Sequence, residues 1–169
     1  GFGIGLKSNG TLWTWGPGNN GRLGLGTTTT HSNPVQVGTD TSWVGIGGGG
    51  AHGMGIKSDG TLWTWGYNLD GQLGIGDTAD RSNPTQVGTA TTWVQVMGES
   101  YHCAALRSDG TLWTWGAGTD GKLGLGDTDS RSNPVQVGTA TSWTQVATGS
   151  DYGMTLNSNG VLWAWGKNL

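Results

Sequence analysis

Thr61-Leu62-Trp63-Thr64-Trp65-Gly66 is the stretch that decides the fold. It stands unchanged at residues 11–16 and 111–116, and returns a fourth time as Val161-Leu162-Trp163-Ala164-Trp165-Gly166. The step is 50 residues each time, with no insertion. Working outward, Ser32-Asn33-Pro34 recurs at 82–84 and 132–134, and Gln36-Val37-Gly38-Thr39 at 86–89 and 136–139. Trp43, Trp93 and Trp143 keep the same step, so all 11 tryptophans belong to one register. Self-similarity at a fixed period of this size is the signature of a repeat architecture, in which each unit buries its apolar face only against its neighbours. The chain of 169 residues therefore divides into repeats 1–50, 51–100 and 101–150 with a partial copy at 151–169, together one repeat domain.

Four short strands alternate with turns inside a repeat. Trp93-Val94-Gln95-Val96 alternates apolar and exposed positions. A second strand runs through His102–Leu106 and a third through Thr111–Trp115, joined by Ser108-Asp109-Gly110, since Asp-Gly is a strong hairpin signal. A glycine-rich loop with Gly121, Gly124 and Gly126 follows. The fourth strand comes after Pro134, where a proline suits an outer edge because it cannot donate to a ladder. No window has the 3.6-residue period, so helix content near zero is expected. Four antiparallel strands per repeat is the size of a propeller blade. Within a third strand the two tryptophans, such as Trp113 and Trp115, share a face, while Leu112 and Thr114 share the other. The expected architecture is all-β, with each blade stacking its tryptophan pair against the next blade.

Composition agrees. The chain has 35 Gly but only one Glu, and 11% of its residues are charged. Glycine at roughly three times its usual share fits dense turns, and 11 Trp are far more than a disordered Gly-rich chain carries. Net charge is −3, with eight Lys and Arg scattered singly, which excludes the clustered basic stripe that nucleic acid requires. No apolar run approaches the length of a membrane span, so no membrane partner is expected, and no basic-then-apolar leader opens the sequence, so secretion cannot be read from it. Cys103 is the one cysteine, so no internal disulfide is available.

The Leu-Trp-Thr-Trp-Gly strand, the loop Gly71-Gln72-Leu73-Gly74-Ile75-Gly76, the proline-led edge strand, and His52 and His102 ahead of Ser-Asp-Gly resemble the regulator of chromosome condensation repeat. The resemblance covers the whole chain. It implies a seven-bladed β-propeller of four-stranded antiparallel blades whose sequence repeats are offset from the blades. Seven blades at this repeat length need about 350 residues, so this chain is about half a ring. Its start supplies the second to fourth strands of one blade and its end the first three of another. Three readings follow: a fragment of a longer protein, a half-propeller that self-associates with a second copy to close, or an open array with exposed edges.

Register separates scaffold from function. Trp13, Trp15, Trp43, Trp63, Trp65, Trp93, Trp113, Trp115, Trp143, Trp163 and Trp165 recur in step and are structural. His52 and His102 share a slot with Phe2 and Tyr152, which reads as packing, and His31 aligns with Arg81 and Arg131 in a surface slot. The aspartates at 77–80 and 127–129 lack the late bidentate acid of a calcium loop and are read as turn formers paired with Arg81 and Arg131. The glycine loops lack the Lys-Ser/Thr ending of a phosphate loop. Cys103 stands where other repeats have glycine and reads as a small buried residue without a register-breaking histidine partner. No catalytic set, metal ligand set or cofactor motif stands out, so a non-enzymatic chain is expected.

The varying positions are the turn between first and second strands and the loop after the tryptophan strand. Met97, Glu99, Tyr101, Tyr67, Asp70, Asp120 and Asp151 break register with side chains suited to binding, on loops held by rigid strands. The expected function is a protein-binding scaffold. The resemblance also suggests guanine-nucleotide exchange toward a small GTPase, and a secreted enzyme inhibitor through a related propeller. Ultraviolet sensing, which a plant photoreceptor of the family performs, is not expected: its Gly-Trp-Arg-His-Thr motif is absent from Gly49-Gly50-Ala51-His52-Gly53.

Overall fold

The computed structural model describes residues 1–167. It holds fourteen strands in four antiparallel sheets. The first sheet is β1 (Gly3–Leu6), β2 (Leu12–Gly16) and β3 (His31–Gln36). The second is β4 (Trp43–Gly48), β5 (His52–Lys57), β6 (Leu62–Gly66) and β7 (Arg81–Gln86). The third is β8 (Trp93–Glu99), β9 (His102–Arg107), β10 (Leu112–Gly116) and β11 (Arg131–Gln136), and the fourth is β12 (Trp143–Thr148), β13 (Tyr152–Asn157) and β14 (Leu162–Gly166). Each sheet is a blade in simple up-and-down order. β4 lies beside β8 and β8 beside β12, which places the first strands of the blades innermost. The first blade thus has the second to fourth strands and the fourth blade the first three, as the repeat offset implies, and the sheets form an open arc. Among the described residues the only helical elements are two single 3-10 turns, at Asn19–Gly21 and Thr119–Gly121.

One local detail differs from the sequence reading. Pro134 sits inside β11 rather than ahead of it. β11 is the outermost strand, so the missing N–H faces away from the ladder, and the register slips between Thr114 and Gly116 where the edge bends. The Ser108-Asp109-Gly110 connection is a tight three-residue hairpin loop, as expected. Gly110 alone takes positive φ (+76°), and Arg107 N–H donates to the Thr111 carbonyl at 3.1 Å. The Asp109 carboxylate accepts from Thr111 N–H at 3.0 Å and from its hydroxyl at 2.7 Å, which fixes the turn.

Blade-to-blade packing also departs from the expected stack of a tryptophan pair against the next blade. Contacts between indoles lie inside a blade: Trp43 with Trp65 at 6.3 Å and Trp93 with Trp115 at 6.1 Å, both edge to face. What crosses to the preceding blade is one indole plugging into a glycine loop. Trp65 Nε1 donates to the Arg22 carbonyl at 3.0 Å, Trp115 to Gln72 at 2.9 Å and Trp165 to Lys122 at 2.9 Å. The next glycine but one, Gly24, Gly74 or Gly124, lies flat against the ring at φ near +68°. The aliphatic face of one blade then meets the tryptophan face of the next. Leu106 and Leu112 pack with Val146, Trp143 and Trp165, and Met54, Ile56 and Leu62 pack with Trp93, Val96 and Trp115.

The loop is locked from below as well. The Thr14, Thr64 and Thr114 hydroxyls, all fully buried, each donate at 2.7 Å to the carbonyl of Leu23, Leu73 or Leu123. Those leucines are themselves buried at 0–1% exposure, so the socket is a rigid part of the core.

The socket gives a controlled test. A Cβ at Gly74 would meet Trp115 Nε1 at 2.9 Å, while one at Gly88, also at positive φ, meets nothing within 4 Å. Gly88→Ala is expected to lower stability by about 1–2 kcal/mol from backbone strain alone, and Gly74→Ala by clearly more. Urea denaturation of the two variants measures the difference.

Candidate functional site

Because strands alternate in direction, connections leave the blades at two ends. The first-to-second turns (49–51, 99–101, 149–151) and the third-to-fourth loops (67–80, 117–130) share one end, here the loop end. The second-to-third turns (58–60, 108–110) and the links between blades share the opposite, turn end. Six of the seven register-breaking residues therefore gather on the loop end without adjoining in sequence.

Tyr67 and Tyr101 come together there across the junction of the second and third blades, with ring centroids 5.8 Å apart. Tyr67 N–H donates to the Ala51 carbonyl at 3.0 Å, and Ala117 N–H to the Tyr101 carbonyl at 2.9 Å, so both loops are tied down at their roots. Burial, followed by the Asp70 carboxylate, pushes the Tyr67 hydroxyl above its ordinary pKa. Asp70 is held beside it, its N–H donating to Gln72 Oε1 at 2.9 Å. Tyr101 is 47% exposed and Leu69, which the sequence reading passed over, is 64% exposed.

Glu99 and Asp151 line a shared open cavity of about 530 Å³, together with Gly149, Ser150, Tyr152 and Lys167. Lys122, whose side chain is only 8% exposed, bonds Asp151 at 3.0 Å and holds that carboxyl below its usual range. Asp120 sits apart at a loop tip in a left-handed conformation (φ +60°) that its register mate Asn20 shares, so its identity is set by the backbone. Met97 is not a loop residue. It lies in β8 and packs against the cluster between the third and fourth blades. Tyr152 departs from its slot in the other direction. His52 and His102 are buried beneath the following blade, whereas Tyr152 is exposed and lines the cavity. Its hydroxyl, like Lys122, was legible only by asking what a following blade covers.

Beneath this surface lies a buried polar chain. Cys103, fully buried, has His52 Nε2 at 3.1 Å and donates to the Gln72 carbonyl at 3.3 Å, the same oxygen that accepts from Trp115 Nε1. The cysteine thus does have a histidine partner, although one in register. The pair is unsuited to nucleophilic chemistry. Burial raises the Cys103 pKa well above its usual value and lowers that of His52 to about 4, so thiol and imidazole both stay neutral. His102 is held near 4 by burial and then by the Lys122 ammonium, and neither of its ring nitrogens reaches a partner.

The aspartate loops form turns as read: Asp77 and Asp127 each accept a backbone N–H two residues on at 3.0 Å and pair with Arg81 and Arg131 at 2.6 Å. Among the described residues no three His, Cys, Asp or Glu side chains converge as a metal site, and no helix is long and apolar enough to cross a membrane.

Residues 9–56, 59–106 and 109–156 each match the family model of the regulator of chromosome condensation (RCC1) repeat, and residues 43–72 match a second model of that repeat. No curated protein matches the chain. Human WBSCR16 superposes with a TM-score of 0.85 at 23% identity, over 96% of this chain and 44% of its own. Yeast RCC1 (Prp20), solved bound to Kap60, gives 0.84 at 22% identity, over 96% of this chain and 41% of its own. Saccharomyces cerevisiae Prp20p, whose structure was described with its binding properties to Gsp1p and histones, gives 0.85 at 21% identity, over 96% and 42%. At these identities the likeness carries the fold, and the chain spans less than half the length of each of these proteins.

Two outcomes follow. In the native chain Cys103 should resist alkylation at pH 8 and label fully after denaturation, as read by intact mass. Unfolded histidines bind protons near pH 6.5, while folded His52 and His102 do so only near 4. Their contribution to stability is therefore complete above about pH 6.5 and is lost as pH falls toward 4, at up to about 1.4 kcal/mol per pH unit for each. His102→Phe, a residue the slot accepts at Phe2, should flatten that slope in urea melts between pH 7 and pH 4.

Proposed function

The chain belongs to the regulator of chromosome condensation (RCC1) repeat family, and on that premise we propose that it is a non-enzymatic scaffold that binds a protein partner through its loop end. The observation that carries this reading is the patch of Tyr67, Leu69 and Tyr101. It combines two touching aromatic rings with an exposed leucine on loops tied down at their roots by backbone hydrogen bonds. Aromatic anchors on a rigid frame lose little entropy on binding, and they are the residue type that dominates protein interfaces. Glu99, Asp151 and Lys167 supply a polar rim beside the patch. The sealed Cys103–His52 pair supports a binding rather than a catalytic reading, because a nucleophile must be ionisable and reachable.

Crosslinking from a residue introduced at Leu69 would identify the partner, and its affinity can then be read by interferometry. Tyr67→Ala combined with Tyr101→Ala is expected to weaken binding at least about tenfold, as loss of a hot-spot pair does, with the melting curve unchanged. A partner that binds the double variant at full affinity would overturn the reading. So would acceleration of nucleotide release from a small GTPase that survives both substitutions.

A further inference from the structure

At the turn end of the third and fourth blades, the inner-strand tryptophan meets the first tryptophan of the third strand and forms a corner. In the third blade Trp93 and Trp113 are edge to face at 6.1 Å and 77°, and the Arg107 guanidinium lies over them at 4.4 Å and 3.8 Å. In the second blade Lys57 lies 5.0 Å from Trp43 and 4.0 Å from Trp63. In the first, Lys7 lies 3.8 Å over Trp13. These cations, which look scattered in the sequence, recur every 50 residues in one slot. Each is held by the negative face of an indole.

The fourth blade builds the same corner without the cation. Trp143 and Trp163 stand 5.9 Å apart at 81°, matching the third blade. The slot of Lys7, Lys57 and Arg107 holds Asn157. Its Oδ1 is turned into the hairpin, accepting from Asn159 N–H at 3.0 Å and Val161 N–H at 2.9 Å. A second break accompanies the first. Trp13, Trp63 and Trp113 donate their indole N–H to Thr11, Thr61 and Thr111 at 2.8–2.9 Å, but position 161 is valine and offers Trp163 no hydroxyl. Trp143 is fixed by the cluster of Ala104, Leu106, Leu112 and Val146 and by its backbone N–H, which donates to the Gly110 carbonyl at 3.1 Å. The corner therefore keeps its shape with no cation of its own.

We propose that the Trp143–Trp163 corner is a docking site for a lysine or arginine side chain of a partner polypeptide. The occupant is identified by the protein's own packing, since the equivalent corners of two other blades close on a lysine and an arginine. A preformed aromatic corner gives a desolvated cation its attraction without a reorganisation cost. The site lies at the opposite end from the tyrosine patch and goes beyond the loop-end reading. Either one can fail while the other stands.

The test follows indole N–H cross-peaks by nitrogen–proton NMR while the full chain is titrated with N-acetyl-arginine methylamide. The neutral isostere N-acetyl-citrulline methylamide serves as control. Saturable shifts of Trp143 and Trp163 are expected with the arginine compound alone. Asn157→Lys, which restores the internal cation, should shrink them roughly fivefold, the scale of one cation–aromatic contact, while the other indole peaks report an intact fold. Arg107→Asn should open a second corner and bring Trp93 and Trp113 into the titration. Equal shifts with citrulline, shifts confined to other indoles, or an undiminished response in Asn157→Lys would overturn the proposal.

Discussion

Everything in this structure depends on one indole finding a carbonyl in the blade before it. Trp65, Trp115 and Trp165 each reach across 43 residues to a loop backbone oxygen, and each ring lies on a glycine that has no side chain to keep it away. The hydrogen bond alone is worth about 1 kcal/mol. Burying the ring adds several more, which is why truncating such a residue costs about 3–5 kcal/mol. A single four-stranded sheet cannot supply that socket to itself, so the stable unit is a pair of adjacent blades. The fixed 50-residue step is a consequence. An insertion between the tryptophan strand and the Gly-x-Leu-Gly loop would move the socket out of reach of the next indole.

How much of this the sequence discloses depends on the range of the interaction. The strands, their antiparallel order and the outer position of the Pro134 strand follow from local pattern and repetition, and the offset between repeats and blades from the family resemblance. Register identifies which residues matter but not what they touch. The tryptophan pair of β10 was legible as one face, yet what it meets in the neighbouring blade, a backbone carbonyl and an aliphatic face, was not. Met97 shows the same limit. It breaks register beside a variable turn, but one residue's displacement along a strand carries it from the loop end into the core. Cys103 was legible as small and buried. Its contact with His52 was not, because residues 51 apart in sequence meet only once blades are stacked.

The seven register-breaking residues show where the boundary falls within the candidate site. Topology gathers six of them on one end, and that much follows from strand alternation. Which of them meet depends on blade curvature and side-chain reach, which no spacing encodes. So Tyr67 meets Tyr101, and Glu99 shares a cavity with Asp151, while Asp120 is left alone on its tip. Leu69, Tyr152 and Lys122 were missed for a related reason. Their roles arise from what the neighbouring blade covers or leaves open, and the repeat pattern treats every blade as if it had identical neighbours.

The two ends of the arc have unequal freedom to vary, and the inequality has a physical source. At the loop end, the backbone is held from beneath by buried threonine hydroxyls and by indole N–H donors, contacts that are indifferent to the side chains above. Residues such as Tyr67 or Tyr101 can therefore change without disturbing the socket. At the turn end, side chains themselves close the structure: the Asp109 type of turn lock, the Thr111 type of indole partner and the Arg107 type of cation are mutually dependent. A change at one of them alone leaves a donor or an aromatic face without its partner. The fourth repeat changes several together, with Asn157 replacing the cation, Asn159 the aspartate and Val161 the threonine, and Asn157 alone takes over the turn lock. Such a joint change keeps the hairpin intact while removing both the ring's cation and the hydroxyl partner of its indole N–H. Uniform repetition thus makes the turn end the place where a departure is informative, whereas at the loop end variation is the rule and only the meeting of particular side chains carries meaning.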